Sequence, residues 1–379
     1  MELRPNMIPV NAPLITSAAK KLVNKALSEG WISSSGPYVE QFEAEFAKLI
    51  GVQHAVAVSS GTAALHVALL SLGIGVGDEV IVPGFTMAAT WTAVLYTGAK
   101  PIFVDVTSDT YTIDPKLIEK AITKHTKAII PVHIYGHPAD MDPIMDLAKK
   151  YKLFVVEDAA EAHGATYRGI TVGSIGDLNA FSFYANKIIT TGEGGMITTN
   201  SRELATAAAR YRDLCHSASK RFIHDDLGYN YRLTSLQAAL GLAQLPTLAS
   251  LLTKKTSMAA AYQKGLSDIP GIILPTTMSW ATNVYWMYAI RVDETKFGMT
   301  KDQLRSTLLE QGIDTRDFFY PPSVQPVLRS QNLGREFLPI SETIAKDGFY
   351  LPSGLALTPA QIKEVCATIR TICSKSHKA

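Results

Sequence analysis

The chain has 379 residues, 47% of them hydrophobic and 18% charged, enough for a sizeable core and too apolar for disorder. A formal net charge of +2, from 36 Lys and Arg against 34 Asp and Glu, argues against a nucleic-acid surface or a polybasic membrane anchor. Cys215, Cys366 and Cys373 form neither a CxxC pair nor a disulfide framework, "MELRPNMIPVNAPLIT" has no apolar signal core, and the apolar runs are strand-sized, so a cytoplasmic protein without a membrane span is expected.

The first predicted element is an amphipathic helix over Thr16–Glu29, capped by Thr16 or Ser17 and stopped by Gly30. "HAVAVSS" reads as a strand, "GTAALHVALLSLG" as a helix, "DEVIVPG" as a strand and "TMAATWTAVLYTG" as a helix. "PIFVDV" is the next strand, followed by a helix beginning near Asp114, the strand "KAIIPVH", a helix over Asp140–Lys150 and the strand "LFVVEDAA". Strands flanked by helices at this rhythm predict a mostly parallel sheet covered on both faces. After "YNYRLTSLQAALGLAQL" a helical pattern runs to about Gly265, with a kink expected at Pro246. "VYWMYAIRV" and "GIDTRDFF" then read as strands, and Lys301–Gln311 and Thr358–Ile372 as helices. The expected division is a large α/β domain with an N-terminal arm at 1–245 and a smaller α+β domain at 246–379.

Ligands of such sheets bind beyond the carboxyl ends of the strands. The chemistry is therefore expected in Ser59–Thr62, Pro83–Met87, His133–His137 and Glu157–Gly164. "GIGVGD", Gly73 to Asp78, lies after a helix and before a strand, the wrong order for a dinucleotide fingerprint, and reads as a turn. In "HIYGH", Gly136 and Pro138 forbid the helix that would bring His133 and His137 onto one metal, and no metal is expected.

Three stretches carry candidate chemistry. "SSGTAAL" opens a helix after a strand, so its unpaired amides and the Ser60 and Thr62 hydroxyls suit a phosphate, or form an ordinary N-cap. "VVEDAAEAHGA" brings Glu157 and Asp158 to a strand end, where a carboxylate pairs with a protonated ring nitrogen or makes a structural ion pair or helix cap. "FSFYANKIITTGEGGM" sets Lys187 between aromatic residues and a glycine cluster. A desolvated lysine there attacks carbonyls, whereas a solvated one on a hairpin does nothing chemical. Taken together, a phosphate cradle, a strand-end aspartate and a buried lysine are the parts that hold pyridoxal phosphate (PLP).

These stretches, with "GWISSSGPYVEQFE", "TKAIIPVHIYGHPADMDPI", "LGYNYRLTSLQAALGLAQL" and "DFFYP", resemble the DegT/DnrJ/EryC1/StrS aminotransferases over nearly the whole chain. The resemblance implies the fold type I architecture of PLP-dependent transferases, with pyridoxal 5'-phosphate as cofactor. It implies that Lys187 is the Schiff-base lysine, that Asp158 partners the pyridine nitrogen and that Glu161 lies near the 3-hydroxyl. Gly61, Thr62 and Ser182 would contact the phosphate, and Asn230 would reach the cofactor of a neighbouring subunit, making a homodimer with shared sites. Met87 stands where the family often has an aromatic residue stacked on the ring; Ser323 and Ala185 also depart from the pattern. Lysine rather than histidine at position 187 favours transamination over the family's dehydratase chemistry. The likeness is greatest to the branch that aminates C4 of GDP-4-keto-6-deoxymannose. L-glutamate is the implied donor, and O-antigen, capsule and antibiotic glycosylation are all compatible pathways. A 3-keto sugar nucleotide, a small phosphorylated ketone or a non-catalytic regulatory role are the alternatives. Trp31, Ser33, Arg221, His224, Phe319 and Tyr320 are candidate contacts to the nucleotide-sugar substrate, or else packing residues.

Overall fold

The structure, a computed structural model, describes residues 7–220 and 222–376. The Thr16 hydroxyl accepts from the Ala19 amide and caps α1 (Ser17–Ser28). A further helix, α2 (Pro37–Ile50), is not among the expected elements. Pro37 sits at its first turn, where no amide donor is needed, and Gly51 ends it in the left-handed region. Its buried face carries Tyr38, Phe42 and Phe46.

The alternating segment follows as β1 (His54–Val58), α3 (Gly61–Ser71), β2 (Glu79–Pro83), α4 (Ala88–Tyr96), β3 (Lys100–Val104), α5 (Pro115–Ala121), β4 (Thr126–Ile129), α6 (Met141–Tyr151) and β5 (Phe154–Asp158). A short hairpin, β6 (Thr166–Tyr167) and β7 (Ile170–Thr171), precedes β8 (Leu178–Ser182), β9 (Gly195–Thr199) and α7 (Arg202–Arg212). One sheet runs in the order β1-β9-β8-β5-β4-β2-β3. Strand β9 lies antiparallel to both its neighbours, and the other pairs are parallel. Successive strand residues enter different cores, as a side-chain period of two requires: Ile81 and Val155 pack on one face, Val80, Val82 and Val156 on the other.

The long helical pattern does not merely kink at Pro246; it divides. Helix α8 (Ser235–Leu242) ends before a tight turn at Leu245–Thr247, and α9 (Leu248–Leu266) begins beyond it. Proline cannot donate the backbone bond that a continuous helix requires. By length and composition residues 235–266 could cross a membrane. Here Ala238, Ala239, Leu245, Leu248 and Leu251 are buried in the core beside the large sheet.

Next come β10 (Ile272–Ile273), β11 (Ala281–Thr282), β12 (Tyr288–Val292), α10 (Glu294–Phe297), α11 (Lys301–Glu310), β13 (Arg316–Asp317), α12 (Pro326–Arg329), α13 (Pro339–Asp347), β14 (Gly348–Leu351) and α14 (Pro359–Ser376). A second, antiparallel sheet has the order β10-β12-β14-β13, while β11 pairs with β6. Both expected C-terminal strands are shorter than their apolar patterns. Tyr285 has φ of 48°, which breaks the first, and only Arg316 and Asp317 pair in the second. The N-terminal segment straps this sheet: Ile8 bonds to Gly312 and Asp314, and the Val10 carbonyl accepts from the Ser353 amide. The Asn11 side chain then reaches the carbonyl of Asn186, the residue before Lys187.

Candidate active site

A cavity of about 380 Å³ opens at the carboxyl ends of β1, β2, β5 and β8 and is closed from the far side by Trp286, Arg316, Phe319 and Tyr350. Its size falls within the usual range for small-molecule pockets, about 300–1,000 Å³. A larger groove of about 550 Å³ beside α11 and α14 is open and lined by Thr307, Gln311, Thr368 and Lys375, without a converging set of ionisable groups. The chemistry therefore belongs to the smaller cavity.

One wall is the N-terminus of α3. Ser60 is its cap, accepting from the Ala63 amide, and the Gly61 and Thr62 amides at the first turn have no acceptor within the helix. A Cβ on Gly61 would stand 2.8 Å from Ser182 Cβ, so glycine is what lets this turn lie against the end of β8. The glycines after Lys187 have a related use. A Cβ on Gly195 would stand 2.3 Å from the Ser60 carbonyl oxygen, so this glycine gives room to the cradle itself. Anions are favoured at such a helix start.

The opposite wall holds Asp158, buried at the end of β5. Its Oδ2 accepts from the Thr90 hydroxyl at 2.8 Å, which lies 2.8 Å from the Thr86 hydroxyl, and its Oδ1 accepts from the Ala160 amide. Burial raises the Asp158 pKa, opposed by the Thr90 bond and by the charge of Lys187. Its neighbour Glu157 does something else. The side chain points the other way along the strand, accepts from the Gly173, Ile175 and Gly176 amides and lies 2.9 Å from His133 Nε2. Since His133 Nδ1 accepts from the Ala139 amide, the ring proton sits on Nε2 and is donated to Glu157. His137 is spent likewise, on the Pro138 carbonyl and the Met278 amide.

Between the walls lies Lys187, on the turn after β8 whose amide bonds back to the Tyr184 carbonyl. Its side chain is 9% exposed. Nζ stands 3.7 Å from the centre of the Trp286 ring and 3.9 Å from Glu161 Oε1. Burial lowers the lysine pKa, and Glu161 and Asp158 oppose the shift. Burial also lifts Glu161 to about 7, against the charge of Lys187 and a bond accepted from the Tyr135 amide at 2.7 Å. Burial thus makes the uncharged amine, the form that acts as nucleophile and base, more accessible than on a solvated lysine.

Of the residues singled out from the sequence, Gly61, Thr62, Met87, Asp158, Glu161, Ser182, Lys187 and Phe319 line this cavity. Phe319 stacks on Tyr135 with 5.6 Å between ring centres. The remaining candidates do not line it. Trp31 packs on Gly36, Ser33 accepts the Ser235 amide at the start of α8, and Tyr320 is exposed. His224 bonds to the Leu214 carbonyl and packs tilted against His216, and Asn230 accepts from Arg232 on an exposed loop. Arg221 lies outside the described residues. Thr90, Trp286, Arg316 and Tyr350 complete the site without having been expected, and Tyr135 joins them from the expected segment His133–His137. Trp286 and Tyr350 had only an apolar pattern to speak for them, and Thr90 only its place on the helix after the second strand.

An anion cradle, a buried carboxylate and a desolvated lysine on the lining of one cavity match the phosphate, ring nitrogen and aldehyde of pyridoxal phosphate. The fit is chemical as well as spatial, because the Asn186 Oδ1, on the cavity lining, is buried without a hydrogen-bond partner. Fold and site thus define a PLP-dependent transferase of fold type I. The chain belongs to the DegT/DnrJ/EryC1/StrS aminotransferase family, which it matches over residues 13–370. It is 42% identical over 362 residues to GDP-perosamine synthase of Escherichia coli O157:H7, covering 96% of this chain and 97% of that one. It is 41% identical to the dTDP-3-amino-3,4,6-trideoxy-alpha-D-glucose transaminase of Streptomyces venezuelae, over 88% of this chain and 87% of the other. The PLP form of a putative sugar aminotransferase, Spr1654 from Streptococcus pneumoniae, superposes with a TM-score of 0.92 at 28% identity, covering 98% and 99% of the two chains. The protein is a PLP-dependent sugar aminotransferase.

Proposed function

We propose that this aminotransferase moves an amino group from L-glutamate to C4 of a GDP-linked 4-keto-6-deoxysugar. The observation that carries the reaction type is the convergence of Lys187, Asp158 and the α3 N-terminus on one cavity. Identity of 42% to a GDP-perosamine synthase supports the sugar. Bound here, pyridoxal phosphate supplies an aldehyde for the donor amine and a conjugated ring that takes up the electrons of a broken C–H bond. The chain's own residues do the rest. Ser60, Gly61, Thr62 and Ser182 would hold the phosphate, with Met87 beside the ring. Asp158 would keep a proton on the ring nitrogen, and Glu161 would serve the 3-hydroxyl. The Lys187 amine takes the proton from the donor's α-carbon in the first half and delivers one to C4 of the sugar in the second.

The working unit in this reading is a homodimer with shared sites. Asn230 is exposed and does not line its own cavity, as a residue completing a second copy's cavity would be. Exposed Phe222 and Leu227 on the same loop suit burial in that contact. Trp31, Ser33, Arg221, His224 and Tyr320 would then meet the sugar nucleotide at the shared rim. Residues 1–245 and 246–379 act as two domains, divided at the Leu245–Thr247 turn. A cytoplasmic place and a polysaccharide pathway such as O-antigen synthesis accompany the reading.

A second reading, amination at C3 of a dTDP-linked sugar, is favoured by the Streptomyces venezuelae relative. Reverse transamination separates the two. Purified holoenzyme is incubated with 2-oxoglutarate and a panel of GDP-, UDP- and dTDP-linked 3- and 4-amino sugars, and the products are read by mass spectrometry. Deamination of the GDP-linked 4-amino sugar alone is the expected result; deamination of a dTDP-linked 3-amino sugar alone would replace it with the second reading.

A further inference from the structure

Both histidines of the His133–His137 segment are committed away from the reaction, to Glu157, the Pro138 carbonyl and the Met278 amide. Between them stands Tyr135, buried behind the cavity lining, with φ of 53° and ψ of 13°. Glycine adopts this left-handed conformation freely, as Gly136 does next to it at φ of 100°. A tyrosine there carries backbone strain, which persists only where the surroundings hold it. Its retention at such a position points to a role for the ring.

The contacts of this turn converge on the lysine. The Gly136 and His137 amides bond within the turn, to the His133 and Ile134 carbonyls, but the Tyr135 amide leaves it and donates to Glu161 Oε2 at 2.7 Å. The Gly136 carbonyl accepts from the Val284 amide, and a Cβ on Gly136 would stand 2.9 Å from the Trp286 backbone nitrogen. The turn is thus seated directly on the segment that carries Trp286. The Tyr135 ring lies at 21° to the Trp286 ring with 6.3 Å between centres, at 17° to Phe319 with 5.6 Å, and 5.9 Å from Tyr350. Three of the four residues that close the cavity from the far side therefore rest on one buried ring. The Trp286 ring and Glu161, at 3.7 and 3.9 Å from the Lys187 amine, are both contacted by Tyr135.

We infer that Tyr135 is a positioning residue for Lys187, its ring fixing the Trp286 indole against the reacting amine. This rests on the reading of Lys187 as the amine that binds PLP and moves the proton. Tyr135 reaches neither the amine nor the cavity, so it acts through the indole. The attraction between an amine cation and an aromatic face depends on the place and tilt of the ring. Aromatic pairs have preferred offsets, so a flat neighbour restrains the indole more narrowly than an aliphatic side chain does. An indole free to tilt loses its hold on both the charge and the aim of the lysine.

The test compares wild type, Tyr135→Phe, Tyr135→Gly and Tyr135→Leu, each alone and in a Trp286→Leu background. Glycine keeps the left-handed backbone and the bond to Glu161; leucine keeps buried apolar volume, so the ring is lost by two different routes. Two rates are read: the limiting rate at which glutamate bleaches the holoenzyme, per bound PLP, and the rate at which the cofactor-free chain captures PLP. Tyr135→Gly and Tyr135→Leu are expected to lower both by roughly 3- to 10-fold, with half-saturating glutamate changed by less than about twofold. Tyr135→Phe keeps both rates within about twofold of wild type. In the Trp286→Leu background, loss of the Tyr135 ring changes either rate by less than about twofold, because the group it acts through is gone. A residue that only supports the fold would lower Tm and PLP content and leave the rates per bound cofactor unchanged, and that result overturns the inference. So does a phenylalanine variant as slow as glycine, or an undiminished effect in the Trp286→Leu background. A wild type that no α-amino acid bleaches overturns the aminotransferase reading, while the capture rates still decide this inference.

Discussion

The Lys187 ammonium nitrogen stands 3.7 Å from the centre of the Trp286 ring, and the Trp286 indole donates to the Asn186 carbonyl at 2.9 Å. One side chain, arriving from the segment before β12, thus covers the reacting amine and grips the backbone next to it. An aromatic face favours the charged amine by roughly 0.5–2 kcal/mol, against the burial that disfavours it. Trp286→Phe keeps the face and loses the donor; Trp286→Leu loses both. Turnover should fall by about threefold to tenfold for phenylalanine and by a further tenfold or so for leucine, with PLP still bound. Stopped-flow bleaching by glutamate checks the order, and equal rates in the two variants would remove the ring from the account.

Replacing Lys187 by alanine should leave the fold and the phosphate cradle intact. Borohydride treatment should then fix no cofactor to the chain, as read by mass spectrometry, and turnover should drop on the order of 10³-fold or more. An active Lys187→Ala variant would end the assignment of this lysine.

Asp158 is buried and its Oδ2 takes its hydrogen bond from Thr90. Asp158→Asn should lower turnover by on the order of 10²-fold, since the amide cannot hold a proton on a ring nitrogen. Thr90→Val removes the hydrogen bond and leaves the carboxylate, which predicts an intermediate loss of about tenfold. Steady-state rates at saturating substrates rank the two variants.

Glu161 is lifted to about 7, chiefly by burial and against the charge of Lys187. Its charge therefore changes close to neutral pH, next to the amine. In the cofactor-free protein the rate of PLP capture, read by absorbance, should change between about pH 6 and pH 8, and Glu161→Gln should abolish that change while still taking up the cofactor. Spectra recorded over that interval decide it.

Lys255 is buried on α9 and donates to the Trp286 and Ser353 carbonyls, with no ion-pair partner among the described residues. Burial lowers its pKa from 10.5 to about 7. Below pH 7 folded and unfolded chains both carry the proton. Between about 7 and 10.5 the unfolded chain still binds the proton that the folded chain has lost, so this group's contribution to stability rises with pH. Lys255→Met has no such term. Its Tm relative to wild type should therefore decline steadily as pH is raised across that window, which thermal melts at several pH values will show.

Much of the site was written in local pattern. Small residues after β1, a carboxylate ending β5 and a lysine after β8 are all strand-end features, and the parallel sheet carries strand ends to one edge. The reading separated Gly73–Asp78 correctly, since that loop closes a turn through the Gly75 amide and Asp78 carboxylate. What local pattern could not separate was Glu157 from Asp158. Adjacent residues on a strand face opposite ways, and only the sheet shows that Glu157 binds the loop at 173–176 while Asp158 meets the cavity.

Sequence alone determined the alternation of strands and helices, the candidacy of Lys187 and Asp158, and the resemblance that singles them out, because each rests on residues near in the chain. Tertiary structure alone decided what surrounds the lysine. Arg316 and Tyr350 come from the second sheet and Trp286 from the segment before β12, and nothing in their own segments marks them, since their role follows from how the two sheets pack. Desolvation followed the same rule: a lysine becomes reactive through burial by distant residues, a property of the assembled cavity rather than of the sixteen residues around it.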